Sequence, residues 1–173
     1  MMALPKKFKH LNVFVDSSHW IGEAEDFTPA KLTRKTEAYR GSGMPGAVET
    51  DQGLADDALH TSFTFGGFSE ELIKRMGTPK IDGVSVRFAG SFQRDDTGEV
   101  ASVEIICRGR FKETDLGTLK QGDNSQTKIT MANTYYKMVI DGAVLHEVDL
   151  LNMIEIGPDG VDLMAAHRKA IGL

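Results

Sequence analysis

Val84-Ser85-Val86-Arg87-Phe88-Ala89-Gly90-Ser91-Phe92-Gln93 leads through Arg94-Asp95-Asp96-Thr97-Gly98-Glu99 into Val100-Ala101-Ser102-Val103-Glu104-Ile105-Ile106-Cys107-Arg108-Gly109-Arg110-Phe111. In the first run Val84, Val86, Phe88 and Phe92 fall on one side, with Arg87 and Gln93 opposite. That period of two marks a strand with one buried face. Asp95-Asp96-Thr97-Gly98 combines residues that favour tight turns, so Val100–Phe111 is expected to return as the antiparallel partner. The hairpin makes the chain mainly β.

Outward from it the same alternation recurs. Leu11–Val15 reads as a strand stopped by Asp16-Ser17-Ser18. A strand from about Ala58 puts Leu59, Thr61, Phe63 and Phe65 on one face and ends at Gly66-Gly67. Tyr135–Ile140 turns at Asp141-Gly142 and returns through Val144 and Val148. Residues 27–40 are polar and basic, with Leu32 and Tyr39 the larger apolar members. Two short helices are expected to pack on the sheet, since such lengths are marginal in isolation. Ser69–Gly77 has a serine cap, acids first, bases last and a closing glycine; the second covers about Val161–Ala170. Gly41–Asp57 has no periodicity and is rich in glycine, so it reads as one long loop of the kind that is functional or disordered.

At 173 residues the chain suits one domain, 1–173. A hydrophobic share of 40% with 26% charged residues is that of a soluble globular domain, not a disordered chain. Its net charge of -5 argues against a protein that grips nucleic acid, which needs a basic face. It does not exclude one that lets nucleic acid pass. Cys107 is the single cysteine, so no internal disulfide forms, and its strand context makes it a core residue. No apolar stretch approaches the ~20 residues a spanning helix needs, so no membrane association is expected.

No catalytic constellation stands out. Gly41-Ser42-Gly43-Met44-Pro45-Gly46 has dinucleotide-loop spacing, but that motif works only between a buried strand and a helix. The preceding segment is too polar and no amphipathic helix follows. His10, His19, His60, His146 and His167 show no metal-ligand spacing. Asp56-Asp57 and Asp95-Asp96 are adjacent pairs at turns, which suits loop chemistry better than general acid-base work. Trp20, Tyr135 and Tyr136 could line a ligand site, or pack in a core or subunit interface. No cofactor or metal is expected.

Several stretches closely resemble the major tail tube proteins of contractile-tailed (myovirus-type) bacteriophages. They are residues 31–44 (KLTRKTEAYRGSGM), 87–100 (RFAGSFQRDDTGEV), 108–113 (RGRFKE), Tyr135-Tyr136-Lys137, 149–153 (DLLNM), Gly160-Val161-Asp162 and 168–173 (RKAIGL). They span nearly the whole chain in one order. The proline of Pro29-Ala30-Lys31-Leu32 stands one place early for the pattern, which bears only on the local strand start.

The resemblance implies an antiparallel β-sandwich or barrel with one or two short helices, and a structural subunit rather than an enzyme. It implies hexameric rings stacked into a hollow tube, the conduit for DNA ejection. Implied partners are other copies, the sheath protein, the tape-measure protein and tail initiator and terminator proteins, with DNA in transit unread. The tube would belong to the virion tail and be assembled in the bacterial cytoplasm; a bacteriocin-like tail tube fits equally. A monomeric ligand-binding β-barrel, with the long loop as lid, is the rival from another class. Within the loop, Gly43, Met44, Val48 and Leu54 are the candidate inter-ring stacking residues. The bore is expected to be neutral to acidic, with Arg34, Arg108 and Arg110 paired with acids or turned away from it. The purified protein is expected to retain no metal or nucleotide through dialysis and to turn over no substrate; stoichiometric retention of either would contradict this reading.

Overall fold

The computed structural model describes residues 3–173. In chain order the first elements are β1 (Lys7–Val15), β2 (Ser18–His19), β3 (Ala24–Thr28), β4 (Arg34–Tyr39), β5 (Val48–Leu54), β6 (His60–Gly66) and α1 (Glu70–Ile73). Then come β7 (Val84–Gln93), β8 (Val100–Asp115), β9 (Gln126–Ile140), β10 (Ala143–Asp149), β11 (Ile154–Ile156) and α2 (Ala165–Ala170). The expected mainly β fold is present. Nine strands form one antiparallel sheet running β2-β1-β7-β8-β9-β10-β11, with β6 and then β3 attached to β9; β4 and β5 pair apart from it.

β7 and β8 form the hairpin legible in the sequence, in continuous register from Val84↔Gly109 to Gln93↔Val100. Alternation sends Val84, Val86 and Phe88 inward, where they are buried with Ile105, Cys107 and Phe111 from β8. β6 adds Phe63 and Phe65, and β9 adds Ile129, Met131 and Tyr136. Phe63 meets Phe65 and Phe111 edge-on at 5.5 and 5.8 Å, the offset geometry that aromatic quadrupoles favour. β1 also touches β3, so the run β1-β7-β8-β9-β6-β3 curls into a barrel around this core.

The barrel is split along β9. Its first half, Gln126–Ala132, pairs with β6, whereas Tyr135–Ile140 pairs with β10. Between them the β8 register slips, so that Arg108 faces Tyr135 but Gly109 faces Asn133. Asn133 spans the fork by donating to the Leu59 carbonyl at 2.6 Å and to the Thr61 hydroxyl at 3.0 Å. Gly109 is obligatory there, because a Cβ would sit 2.1 Å from the Ala132 carbonyl oxygen.

Several boundaries differ from the expectation. The first strand starts at Lys7, before the apolar Leu11–Val15, because its polar beginning finds ladder partners on β7 from Gln93 onward. β9 begins at Gln126, since β6 and β8 flank its first half. Residues 27–40 divide into the end of β3 and β4. Residues 41–57 are not one loop: Val48–Leu54 is β5, paired with β4 from Arg34↔Leu54 to Tyr39↔Val48. Its polar residues conceal the strand because only Leu54, at its end, packs against the core.

The first helix is capped by Ser69, whose hydroxyl accepts from the Leu72 N–H at 3.4 Å, but it ends at Ile73; turns carry the chain to Gly77. Its buried Leu72 holds it to the core. α2 starts at Ala165, because Asp162 is drawn into a bridge with Ile156. α2 buries no side chain; Arg168 donates instead to the Met153 carbonyl and, at 2.6 Å, to Asp162.

Gly109→Ala should lower unfolding free energy by more than about 3 kcal/mol or prevent soluble expression, since backbone must move. Gly46→Ala, which meets no atom within 4 Å, should be within about 0.5 kcal/mol of the parent. Urea titration of both proteins checks the contrast.

Candidate assembly interface

β4 and β5 form an arm whose strands touch each other and little else. At its base Ala55 N–H donates to the Thr33 carbonyl at 2.9 Å. Arg34 links the arm to the body: Nη2 lies 2.7 Å from Asp51 across the hairpin, and Nη1 reaches Glu155 of β11. Glu155 is 9% exposed at its side chain, so the guanidinium provides the counter-charge that its burial requires. Hydrogen bonding from Arg34 first, then from the Gly53 N–H, holds the Asp51 carboxyl below its ordinary range.

At the far end the chain turns through Gly41–Gly46. Met44 N–H donates to the Gly41 carbonyl at 3.3 Å, and Arg40 donates to the Met44 and Pro45 carbonyls at 3.3 and 3.2 Å. Gly43, at φ +80°, supplies the left-handed residue of this turn. The glycines therefore shape a hairpin tip with no strand-to-helix junction for a pyrophosphate.

Of the four stacking candidates, Gly43, Met44 and Val48 gather at this tip, while Leu54 lies at the base and packs against the barrel core. Tyr39, directly opposite Val48 in the register, was not among them. The two side chains are 59% and 49% exposed, an apolar pair standing in water. The signal was there: Tyr39 is the one aromatic of the basic stretch 31–40, but its partner becomes evident only once β5 is recognised.

Elsewhere, the outer face of β7–β10 carries charges in company. Arg87 pairs with Glu104 and lies over the Phe14 ring at 4.5 Å. Lys137 pairs with Glu147 at 3.4 Å, and Tyr135 donates to Glu147 at 2.8 Å, its hydroxyl pushed up to about 12 by burial and that carboxylate. Of the three arginines expected to be paired or averted, Arg34 has two acids. Arg108 instead stacks 4.1 Å over Tyr135, and exposed Arg110 has no ion pair among the described residues.

A cavity of about 540 Å³ opens where β9 peels away toward β10, between the inner faces of β7–β9 and the β1 and β3 strands. Among the described residues no group of three or more His, Cys, Asp or Glu side chains is placed to hold a metal ion. Asp95 pairs with Lys9, while Asp96 binds Arg94 and the Leu4 N–H and is held at about 2. Cys107 is buried, its thiol pushed up to about 12 by desolvation, so it is a packing residue rather than a nucleophile.

The molecule is a split β-barrel that carries an extended arm with an exposed apolar tip. Residues 5–172 match the phage tail tube protein FII family, and the chain belongs to it. It is 47% identical over 173 residues to the tail tube protein of Escherichia phage P2, covering 99% of this chain and all of that protein. It is 44% identical over 153 residues to the major tail tube protein of Serratia phage KSP20, covering 88% of each. A chain of the six-fold symmetrised cryo-EM structure of the anti-feeding prophage baseplate shares the fold, with a TM-score of 0.52 at 9% identity over 80% of this chain and 96% of that one. The protein is thus a structural subunit of the virion tail and not an enzyme.

Arg34→Ala should free the arm's base and leave Glu155 buried without a counter-ion, at a cost of about 1–3 kcal/mol. Hydrogen exchange should accelerate in β4 and β5 while the β7–β8 amides stay protected. Because the folded-state pKa of Asp51 is lowered, its contribution is fully present above the ordinary aspartate value of ~4 and is lost as pH falls below it. Arm exchange should therefore be flat from neutral pH down to that value, apart from intrinsic rates, and rise below it.

Proposed function

We propose that copies of this chain close into hexameric rings, and that the rings stack into a hollow tube through which DNA leaves the particle, inside a contractile sheath. The observation that carries this reading is the arm. A two-stranded hairpin is marginal by itself in water, yet this one extends from the barrel with an apolar pair at its end. It is best understood as an element completed by a neighbour. In the stack, Gly43, Met44 and Val48 meet the adjacent ring, and Leu54 keeps the arm seated on its own barrel. The whole chain acts as a single tube unit.

The outer face of β7–β10 is the candidate bore wall. Arg87 and Lys137 each sit beside a carboxylate there and release few counterions to passing phosphates. Arg108, stacked on Tyr135, and exposed Arg110 on the same face of β8 have no carboxylate beside them among the described residues and would hold phosphates more firmly. The tape-measure protein before ejection, the initiator and terminator at the ends, and the sheath outside complete the assembly.

Ordering a free tip costs roughly 1–2 kcal/mol per residue, which keeps subunits apart until a ready surface offers more than that. Replacing Arg40–Ala47 by Asn-Gly closes β4 to β5 with a tight turn, and adding Tyr39→Thr and Val48→Thr removes the apolar pair, so the whole tip is lost. This variant should be soluble, with unchanged urea stability, and fail to form tubes by electron microscopy; tubes of normal length would refute the role of the tip. In the parent, tip amides should gain protection from hydrogen exchange on assembly.

A further inference from the structure

The cavity beside the β9 fork is a consequence of the fold's topology. β6 and β3 cover the first half of β9, but its second half turns toward β10, so the inner face of the sheet is left open there. Phe8, Phe92, Val103, Met138 and Ile140 line the opening, and none of them is buried by the chain's own folding. Phe8 is half exposed despite tilting over Phe92 at 5.2 Å. Gly90 lies against the Phe8 and Phe88 rings: a Cβ there would strike Phe88 at 2.7 Å. Acidic Glu25 and Asp26 stand on the β3 side of the mouth, and Lys6 on the other side is engaged by Glu99.

We propose that this cavity receives the arm tip of a second copy, with Tyr39 and Val48 entering it and Arg40 meeting Glu25 and Asp26 at the mouth. The inference rests on the stacked-ring reading above and names the surface which that reading requires. Three features fit this occupant. The tip carries an apolar cross-strand pair of which one member is aromatic, and the cavity wall is apolar and itself aromatic. The cation beside the pair is Arg40, and the mouth offers it two carboxylates without an ion pair among the described residues: Asp26, and Glu25, which accepts from Gln126. The tip and the cavity are different patches on one chain, so their contact is heterologous and repeats from copy to copy, as a filament needs.

Cysteine cross-linking of the full chain tests the proposal, because buried Cys107 gives little background. Val48→Cys and Ile140→Cys proteins would be assembled together and oxidised mildly; a disulfide forms only if the two Cα atoms come within about 7 Å. Cross-linked dimers are expected in mixed tubes and absent from tubes of either variant alone. Should either variant fail to assemble, Tyr39→Cys with Met138→Cys repeats the experiment. Mixed tubes of normal length without dimers would overturn the proposal while leaving ring stacking intact. So would dimers formed by Ile140→Cys with Ile171→Cys, which would give the cavity to the exposed last turn of the chain. If the parent forms rings or tubes under no condition, the stacked-ring reading falls, and this inference with it.

Discussion

The close approach of Gly109 to the Ala132–Asn133 backbone is the constraint on which the rest of the molecule depends. At that point one strand must serve two partners in succession, and the register slip between β8 and β9 makes this possible. Without a side chain at 109 the strands can come together, Asn133 can bind the Leu59 carbonyl, and β6 can end where β10 begins. The barrel and the β10–β11 extension are thereby joined without a linker. The same fork lays bare the apolar inner face of β9, so a stable core and an unfilled cavity have one geometric origin.

The arm is held by different physics. It has almost no core, and its strands are polar on both sides, so its position depends on Arg34 bridging Asp51 and Glu155. An ion pair of this kind is a poor source of stability, because desolvating the charges offsets most of their attraction. It is good at setting direction: a guanidinium with two carboxylates at fixed places permits few orientations of the hairpin. Stability from the barrel and aim from the arm's base are separate properties, carried by separate residues.

The barrel's strands were legible because alternation records a buried face: Val84, Val86, Phe88 and Phe63, Phe65 show it plainly. β5 was not, since Val48-Glu49-Thr50-Asp51-Gln52-Gly53-Leu54 packs on the core only through its last residue, Leu54, and the rest of its ladder with β4 leaves no hydrophobic trace. The helices were too long in the sequence reading because cap residues fix a start but tertiary demands set the end; Asp162 serves a β-bridge rather than a first turn. Residue patterns located the tip but not its apolar pair, since Tyr39 and Val48 are neighbours only through pairing. Leu54 was visible as an apolar residue, but which partner it would bury against depends on the fold. The cavity had no signature at all, for it arises where a strand changes partners, and that is a property of topology.

An arm at one place and an open cavity at another give each subunit a front and a back. In the proposed stack every added ring repeats that direction, so the two ends of the column are chemically unlike. One end displays unfilled apolar mouths, the other displays unseated hairpins. Growth then has an arrow, and the stack contains no signal for when to stop. A protein that starts the column must imitate one surface and a protein that ends it must mask the other, so neither could do the other's work.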